Sequence, residues 1–307
     1  MTTDWPSYLA LGADELERRA VRILATLVDC RACPRACGRN RLQDEVGDCR
    51  TGRRARVASW FAHFGEEDCL RGQRGSGTIF FAGCNLGCKF CQNHETSQGD
   101  EGRELDGEAL AQAMLRLATE GCHNINLVTP SHVVPQILEA LAIAVRRGLN
   151  LPIVYNSGGY DALETLRELD GVVDVYMPDF KLWSPELASR FLGASDYPAV
   201  ARAAVAEMHR QVGILTIDSG LARRGMLVRH LVMPGQVADS RQVFDFLASL
   251  SRDTYVNVMA QYHPAHRASR DPALARSSSF RDVDRAVEAF HGAGLRRRDR
   301  PCGGLPF

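Results

Sequence analysis

Residues 77–93 read GTIFFAGCNLGCKFCQN. A short run of β-branched and aromatic residues ends in a glycine, and cysteines at 84, 88 and 91 follow at once. The run has the composition and length of a buried strand. The cysteines therefore stand just past a strand's C-terminal end, where α/β folds bind their ligands. From Thr78 onward the same grammar repeats, with apolar runs at 78–83, 124–129, 153–158, 173–180, 227–235 and 255–262. Between them lie amphipathic helical patterns at 107–120, 133–147, 160–169, 185–192, 199–212 and 239–250. Strands alternating with helices of this size predict βαβ units around a parallel sheet. About six units fit, fewer than the eight of a closed barrel. The fold class expected is α/β, a partial (β/α)6 TIM-like barrel, with a doubly wound open sheet as the rival. Asp106 and Asp239 stand where helix N-caps belong, and Gly148 where a helix-ending glycine belongs.

Outward from this core, residues 13–28 carry a helical apolar face. A cysteine-, arginine- and glycine-rich stretch from Cys30 to Gly77 follows, with little periodicity. The expected division is a Cys-rich metal-binding extension over 1–76, the barrel over 77–295, and a tail over 296–307, with a last helix near 281–292.

The formal net charge is zero, so bulk electrostatics point to neither nucleic acid nor an anionic membrane. No apolar run approaches the roughly 20 residues of a membrane span. The opening residues carry acids where a secretion signal has a basic start. A cytoplasmic protein is expected, and in that reducing compartment clustered thiols bind metals or do redox chemistry. Eight of the ten cysteines fall between Cys30 and Cys91, which makes metal binding the first question to ask. Lysine is rare, and its two copies, Lys89 and Lys181, both fall inside motifs.

Thiolates bind iron–sulfur clusters well, and three of them on a four-iron cube leave one iron open for a ligand. A zinc or ferredoxin-like site with a distant fourth cysteine is the structural alternative. At this point the sequence resembles the radical S-adenosylmethionine (SAM) superfamily, and within it the pyruvate formate-lyase activating enzymes. The CxxxCxxC loop carries the resemblance, with Phe90 before the third cysteine as is typical of the superfamily. Further motifs extend it over residues 77–265. Met177-Pro178-Asp179-Phe180-Lys181 resembles the family's M-x-D-x-K segment, and an acid and an amine two apart at a strand end point the same way. Arg229 matches an arginine at the SAM site, His263 a histidine that approaches SAM, and Asn156 an asparagine of the third strand. The structural alternatives are a surface ion pair for Asp179 and Lys181, a structural carboxylate for Arg229, and a plain strand-end histidine for His263. The resemblance implies that Cys84, Cys88 and Cys91 hold a 4Fe–4S cluster. It implies that Phe90, Asn156, Asp179, Lys181, Arg229 and His263 line the SAM site, with Lys181, Arg229 and His263 catalytic. It also implies a reductant such as flavodoxin or ferredoxin.

Two departures mark a divergent relative. Tyr155 replaces an acid beside Asn156, and Thr129-Pro130-Ser131-His132 replaces the segment that receives SAM's amino group. Thr129 or Ser131 is the candidate substitute there.

Four further cysteines, Cys30, Cys33, Cys37 and Cys49, lie within 20 residues. Four thiolates suit a tetrahedral zinc or an auxiliary 4Fe–4S cluster, and the spacing does not choose between them. The nearby segment Trp60 to Glu67 is aromatic and acidic, and its carboxylates are expected to be solvated or paired. The leading expectation is a radical SAM enzyme that cleaves SAM to a 5′-deoxyadenosyl radical and abstracts hydrogen. Its substrate is a glycyl-radical enzyme in one version, and a small molecule or another peptide in the other. A non-catalytic iron–sulfur or zinc protein is the reading from a different class.

Overall fold

The computed structural model describes residues 5–235 and 237–299. The end of the expected tail, from 300 onward with Cys302, lies outside them. The chain opens with α1 (Tyr8–Ala25), and the cysteine-rich loop leads into β1 (Ala55–His63) and a one-turn α2 (Asp68–Arg71). Next come β2 (Ser76–Phe81), α3 (His94–Gln98), β3 (Arg103–Leu105) and α4 (Gly107–Thr119). The βα alternation continues as β4 (Ile125–Val128), α5 (Val134–Arg146), β5 (Ile153–Ser157), α6 (Leu163–Glu168) and β6 (Val175–Pro178). Two helices, α7 (Pro185–Leu192) and α8 (Tyr197–Val212), precede β7 (Thr216–Asp218) and the long β8 (Leu221–Leu231). The chain closes with α9 (Val237–Leu250), β9 (Tyr255–Met259), α10 (Phe280–Gly292) and β10 (Arg297–Arg298).

One sheet runs through all of this in the order β10-β9-β8-β6-β5-β4-β2-β1-β3, with β7 pairing β8 to the side. The six strands from β2 to β9 are parallel, and the order does not close on itself. This is the unclosed α/β barrel that the strand count predicted. Residues 55–63 were placed in the N-terminal extension by the sequence. They form β1, which pairs antiparallel with β2, so this part of the extension shares the barrel's sheet. The strand lacks strict alternation and sits among arginines and glycines, which hid it. Helix α1 packs on the outside, with the Tyr8 hydroxyl donating to the Leu151 carbonyl at 2.8 Å.

Side chains alternate across each strand. On β5 and β6, Ile153, Tyr155 and Tyr176 face the helices, whereas Val154, Val175 and Met177 face inward. Inside the barrel these meet Leu227 of β8 and, from α2, Cys69 and Leu70. The α2 segment thus plugs the barrel interior. Asp106 caps α4 as expected, its carboxylate accepting from the Ala109 N–H at 2.9 Å. Asp239 does not cap α9. It lies within that helix, and its carboxylate accepts from the Trp183 N–H at 3.3 Å instead.

Candidate metal and cofactor site

β2 ends at Phe81, and the loop carrying Cys84, Cys88 and Cys91 crosses the C-terminal mouth of the sheet. Two backbone bonds tie it to the end of α7, Gly87 N–H to Leu192 O at 3.0 Å and Lys89 N–H to Phe191 O at 2.8 Å. Phe90 is buried and meets the Tyr262 ring edge-on at 6.2 Å. Phe90, one of the residues the resemblance implies for the SAM site, thereby anchors the loop between Cys88 and Cys91. Cys84 and Cys88 are each within electrostatic reach of Cys91 and of one another. The Leu86 N–H donates to the Cys84 sulfur at 3.4 Å, and Cys91 shares a hydrogen bond with Ser97 at 3.2 Å.

Lys181 comes to this loop from β6. Phe180 turns to the helix face, fully buried against Trp183 and Phe246, a burial worth roughly 1.5–3 kcal/mol. Asp179 and Lys181 on either side are thereby held at the mouth, their side chains joined at 2.5 Å. Burial alone would lower the Lys181 pKa, but Asp179 and Cys88 outweigh it and hold the ammonium above its ordinary value. Tyr197 locks the turn: its hydroxyl accepts from the Lys181 N–H at 2.9 Å and faces the Asp179 carbonyl at 2.9 Å. Gly159 closes the neighbouring strand end, where φ is 74° and a Cβ would meet the Asp179 carbonyl at 2.5 Å. Tyr197 gave no motif signal, because its role depends on a helix far from the strand it supports.

The other predicted residues divide. Asn156 is buried on β5 in register with Met177, on the interior face by alternation from Val154. His263 is exposed and lies 3.4 Å from the Gln92 amide, next to Cys91. Arg229 sits beside Asp179 in the sheet but turns its guanidinium to the α2 segment. It donates to Glu67 at 2.8 and 2.6 Å and also to Glu66. Asn257 adds a bond to Glu67 at 2.7 Å, and His63 lies 3.3 Å from Glu66. Arg229 is therefore a residue with structural carboxylate partners, and the acids of the Trp60–Glu67 segment are buried and paired. Burial would raise the Glu66 pKa, but His63 and Arg229 reverse that and hold it below the ordinary range.

The departures from the family pattern also have structural places. Tyr155 turns to the helix side and donates to Asp161 at 2.8 Å. Ser131 bonds the same carboxyl, which burial raises against the pull of its hydroxyl donors. His132 is fully buried against the Ala82 carbonyl at 3.1 Å.

The four N-terminal cysteines gather beside the loop of Cys84, Cys88 and Cys91. Cys30, Cys33 and Cys49 are buried and Cys37 is half-buried. Asn85 joins the two groups: its side chain bonds the Cys33 sulfur and donates to the Tyr160 carbonyl at 2.7 Å. Gly83 has φ 81°, and a Cβ there would stand 2.1 Å from the Cys49 carbonyl. A polar groove of about 610 Å³ lies over the junction, bordered by Cys84, Lys89, Arg35, Arg50, Arg190 and Arg267.

Three soft thiols on one loop, with an ammonium held beside them, fit a cluster with one iron left open. Burial pushes the thiols up, Cys84 to about 11 and Cys88 to about 12, so metal loading has to displace protons.

The family model described as "Radical SAM superfamily" matches residues 78–247. An uncharacterized protein of Methanocaldococcus jannaschii is 30% identical over 267 residues, covering 85% of this chain and 73% of that protein. Among solved structures, the radical SAM methyltransferase TsrM of Kitasatospora setae aligns over 58% of this chain and 34% of its own, at 17% identity and TM-score 0.43. SuiB of Streptococcus suis aligns over 71% and 46%, at 11% identity and TM-score 0.47. The chain thus spans about a third to a half of those two proteins.

Proposed function

This chain belongs to the radical SAM superfamily, and we propose that it binds a 4Fe–4S cluster through Cys84, Cys88 and Cys91 and cleaves SAM reductively to take a hydrogen atom from its substrate. The observation that carries this reading is the Asp179–Lys181 pair, brought by β6 against the cysteine loop and locked there by Tyr197. When bound, the reduced cluster supplies the electron that breaks the S–C5′ bond of SAM.

The chain's own residues bind and orient. Asp179 and Lys181 offer one acceptor and one permanent cation, matched to SAM's amino and carboxylate groups. Asn156 adds an amide from the neighbouring strand, and His263 stands at the loop's outer end beside Gln92. Phe90 and Leu86, both buried, keep water from the cysteine side of the mouth. Arg229 acts as a positioning residue, holding the α2 plug under the site through Glu66 and Glu67.

The finer reading is an activating enzyme whose substrate is the backbone glycine of a glycyl-radical partner, with flavodoxin or ferredoxin as reductant. The motifs at 84–91 and 177–181 support it. A small molecule or another peptide as substrate is the second reading. It is favoured by Tyr155 and Ser131, whose side chains are engaged by Asp161 and do not rebuild the family's acid at the mouth.

The test is electron paramagnetic resonance of the dithionite-reduced, iron-loaded protein with and without SAM. The expected result is a cluster signal that SAM alters, and that alteration is lost in the variant with Cys84, Cys88 and Cys91 changed to alanine. A fully loaded wild type whose signal SAM leaves unchanged contradicts the reading and favours a non-catalytic metal protein. A glycyl-radical signal on a partner protein separates the two substrate versions.

A further inference from the structure

Arg41 is 1% exposed, and among the described residues no carboxylate hydrogen-bonds it. Its Nε donates to the Gly52 carbonyl at 3.1 Å and its Nη1 to the His132 carbonyl at 2.8 Å. The remaining contact of Nη1 is the Cys30 sulfur at 3.6 Å, and the buried Nη2 has no hydrogen-bond partner among the described residues. A buried guanidinium is costly unless an anion compensates it. Asp44 of the same loop is engaged by the Arg53 N–H at 2.9 Å, whereas the thiols of Cys30, 3.6 Å from Nη1, and Cys49, within electrostatic reach, could carry that charge as thiolates.

These cysteines form a set. Cys49 is within electrostatic reach of Cys30 and Cys37, and Cys33 of Cys30 and Cys49. The loop folds back to make this so: the Gly38 N–H donates to the Cys30 carbonyl and the Cys30 N–H to the Arg39 carbonyl, each at 3.1 Å. Gly47 lies directly on the Cys37 sulfur, where a Cβ would be 2.8 Å away. Four neutral thiols would leave Arg41 uncompensated. Four thiolates on a metal centre carry net negative charge and would compensate it.

Two metal centres supply that chemistry. Tetrahedral zinc needs all four sulfurs converging to about 2.3 Å from one point. Among the described residues no three Cys, His, Asp or Glu side chains converge on a single-ion position. The same holds for Cys84, Cys88 and Cys91, which a cube of irons accommodates because each sulfur meets its own iron. The two loops also share their spacing in reverse, CxxCxxxC at 30–37 against CxxxCxxC at 84–91.

We propose that Cys30, Cys33, Cys37 and Cys49 bind a second iron–sulfur cluster, closed by four protein thiolates, with Arg41 as its buried counter-charge. Its place is against the first loop, through Asn85 on Cys33 and Gly83 on Cys49. With four ligands it has no iron open to SAM. The inference goes beyond the proposed function and stands or falls without it.

The test uses the full chain with Cys84, Cys88 and Cys91 changed to alanine, loaded anaerobically with iron and sulfide and then desalted. Expected are about four irons per chain and a reducible cluster signal that SAM leaves unchanged. A folded variant that retains no iron, or that is purified with zinc in place of iron, overturns the proposal. In the same background, Arg41→Met is expected to speed loss of iron to a chelator by roughly tenfold or more, a change of about 1.4 kcal/mol. The stability of the metal-free protein is expected to be undiminished. Unchanged chelator resistance would remove Arg41 from the account. If this variant holds iron while the wild type fails to respond to SAM, the second cluster stands and the proposed function falls.

Discussion

Two arginines held largely away from water, Arg41 buried and Arg229 half-buried, divide the molecule. Arg229, inside the barrel, is matched by Glu66 and Glu67 and needs nothing from outside the chain. Among the described residues Arg41, beside the N-terminal cysteines, hydrogen-bonds two carbonyls and a sulfur and no carboxylate. A guanidinium drawn out of water is expensive, so each must be compensated. Where the chain supplies the anion, the arginine is part of the architecture. Where it does not, the missing charge belongs to a bound group. Lys181 stands between these cases, paired with Asp179 yet also held against Cys88.

The largest effect tests the matched arginine. Arg229→Met leaves two carboxylates buried without a cation, a loss of about 3–5 kcal/mol, read as a fall in unfolding midpoint. Changing Glu66 and Glu67 to glutamine in the same chain is expected to recover most of it. An Arg229→Met protein as stable as wild type would break the comparison at its firmer end. Next is Lys181→Met, which removes the ammonium at the cysteine loop. Preorganised charges of this kind are each worth about a hundred- to a thousandfold in rate. SAM cleavage is expected to fall by that much at unchanged iron content, with Lys181→Arg recovering part of it. Full activity in Lys181→Met would return the pair to a surface ion pair.

How much of this the sequence displayed depends on range. The cysteine loop and the Asp179–Lys181 step were legible because each lies within a few residues and at a strand end. The six parallel strands were legible from local apolar runs. Glu66 and Glu67 were legible only as solvated or paired, because the partner that decides between the two, Arg229, lies more than 160 residues away. Arg41 was silent for the same reason, as one arginine in a segment full of them. Strand β1 was missed because ARVASWFAH lacks clean alternation, its pairing with β2 being what makes it a strand.

Smaller effects sharpen the contrast. Gly83→Ala puts a Cβ against the Cys49 carbonyl where φ is already positive, and is expected to cost about 1–3 kcal/mol. If it costs nothing, the two cysteine groups are less tightly joined than their packing implies. Acid tests the histidines. Burial holds His132 down to about 3 and His230 down to about 4. The unfolded chain takes up protons near 6.5, so it binds more than the folded chain as pH falls. Their contribution is complete above about 6.5 and is lost toward 4, at about 1.4 kcal/mol per pH unit for each. Measured from pH 7 to 5, the slope is expected to shrink by one such step in His132→Gln. The smallest effect is Arg41→Met in metal-free protein, where removing an unmatched cation is expected to cost nothing, in contrast to Arg229→Met.

The most direct measurement is 5′-deoxyadenosine released from SAM by anaerobically reconstituted, dithionite-reduced protein, quantified by chromatography. The wild type is expected to release it, and the variant with Cys84, Cys88 and Cys91 changed to alanine to release none while keeping its N-terminal iron. A fully loaded wild type that releases none, and whose cluster signal SAM leaves unchanged, would contradict the account at its centre.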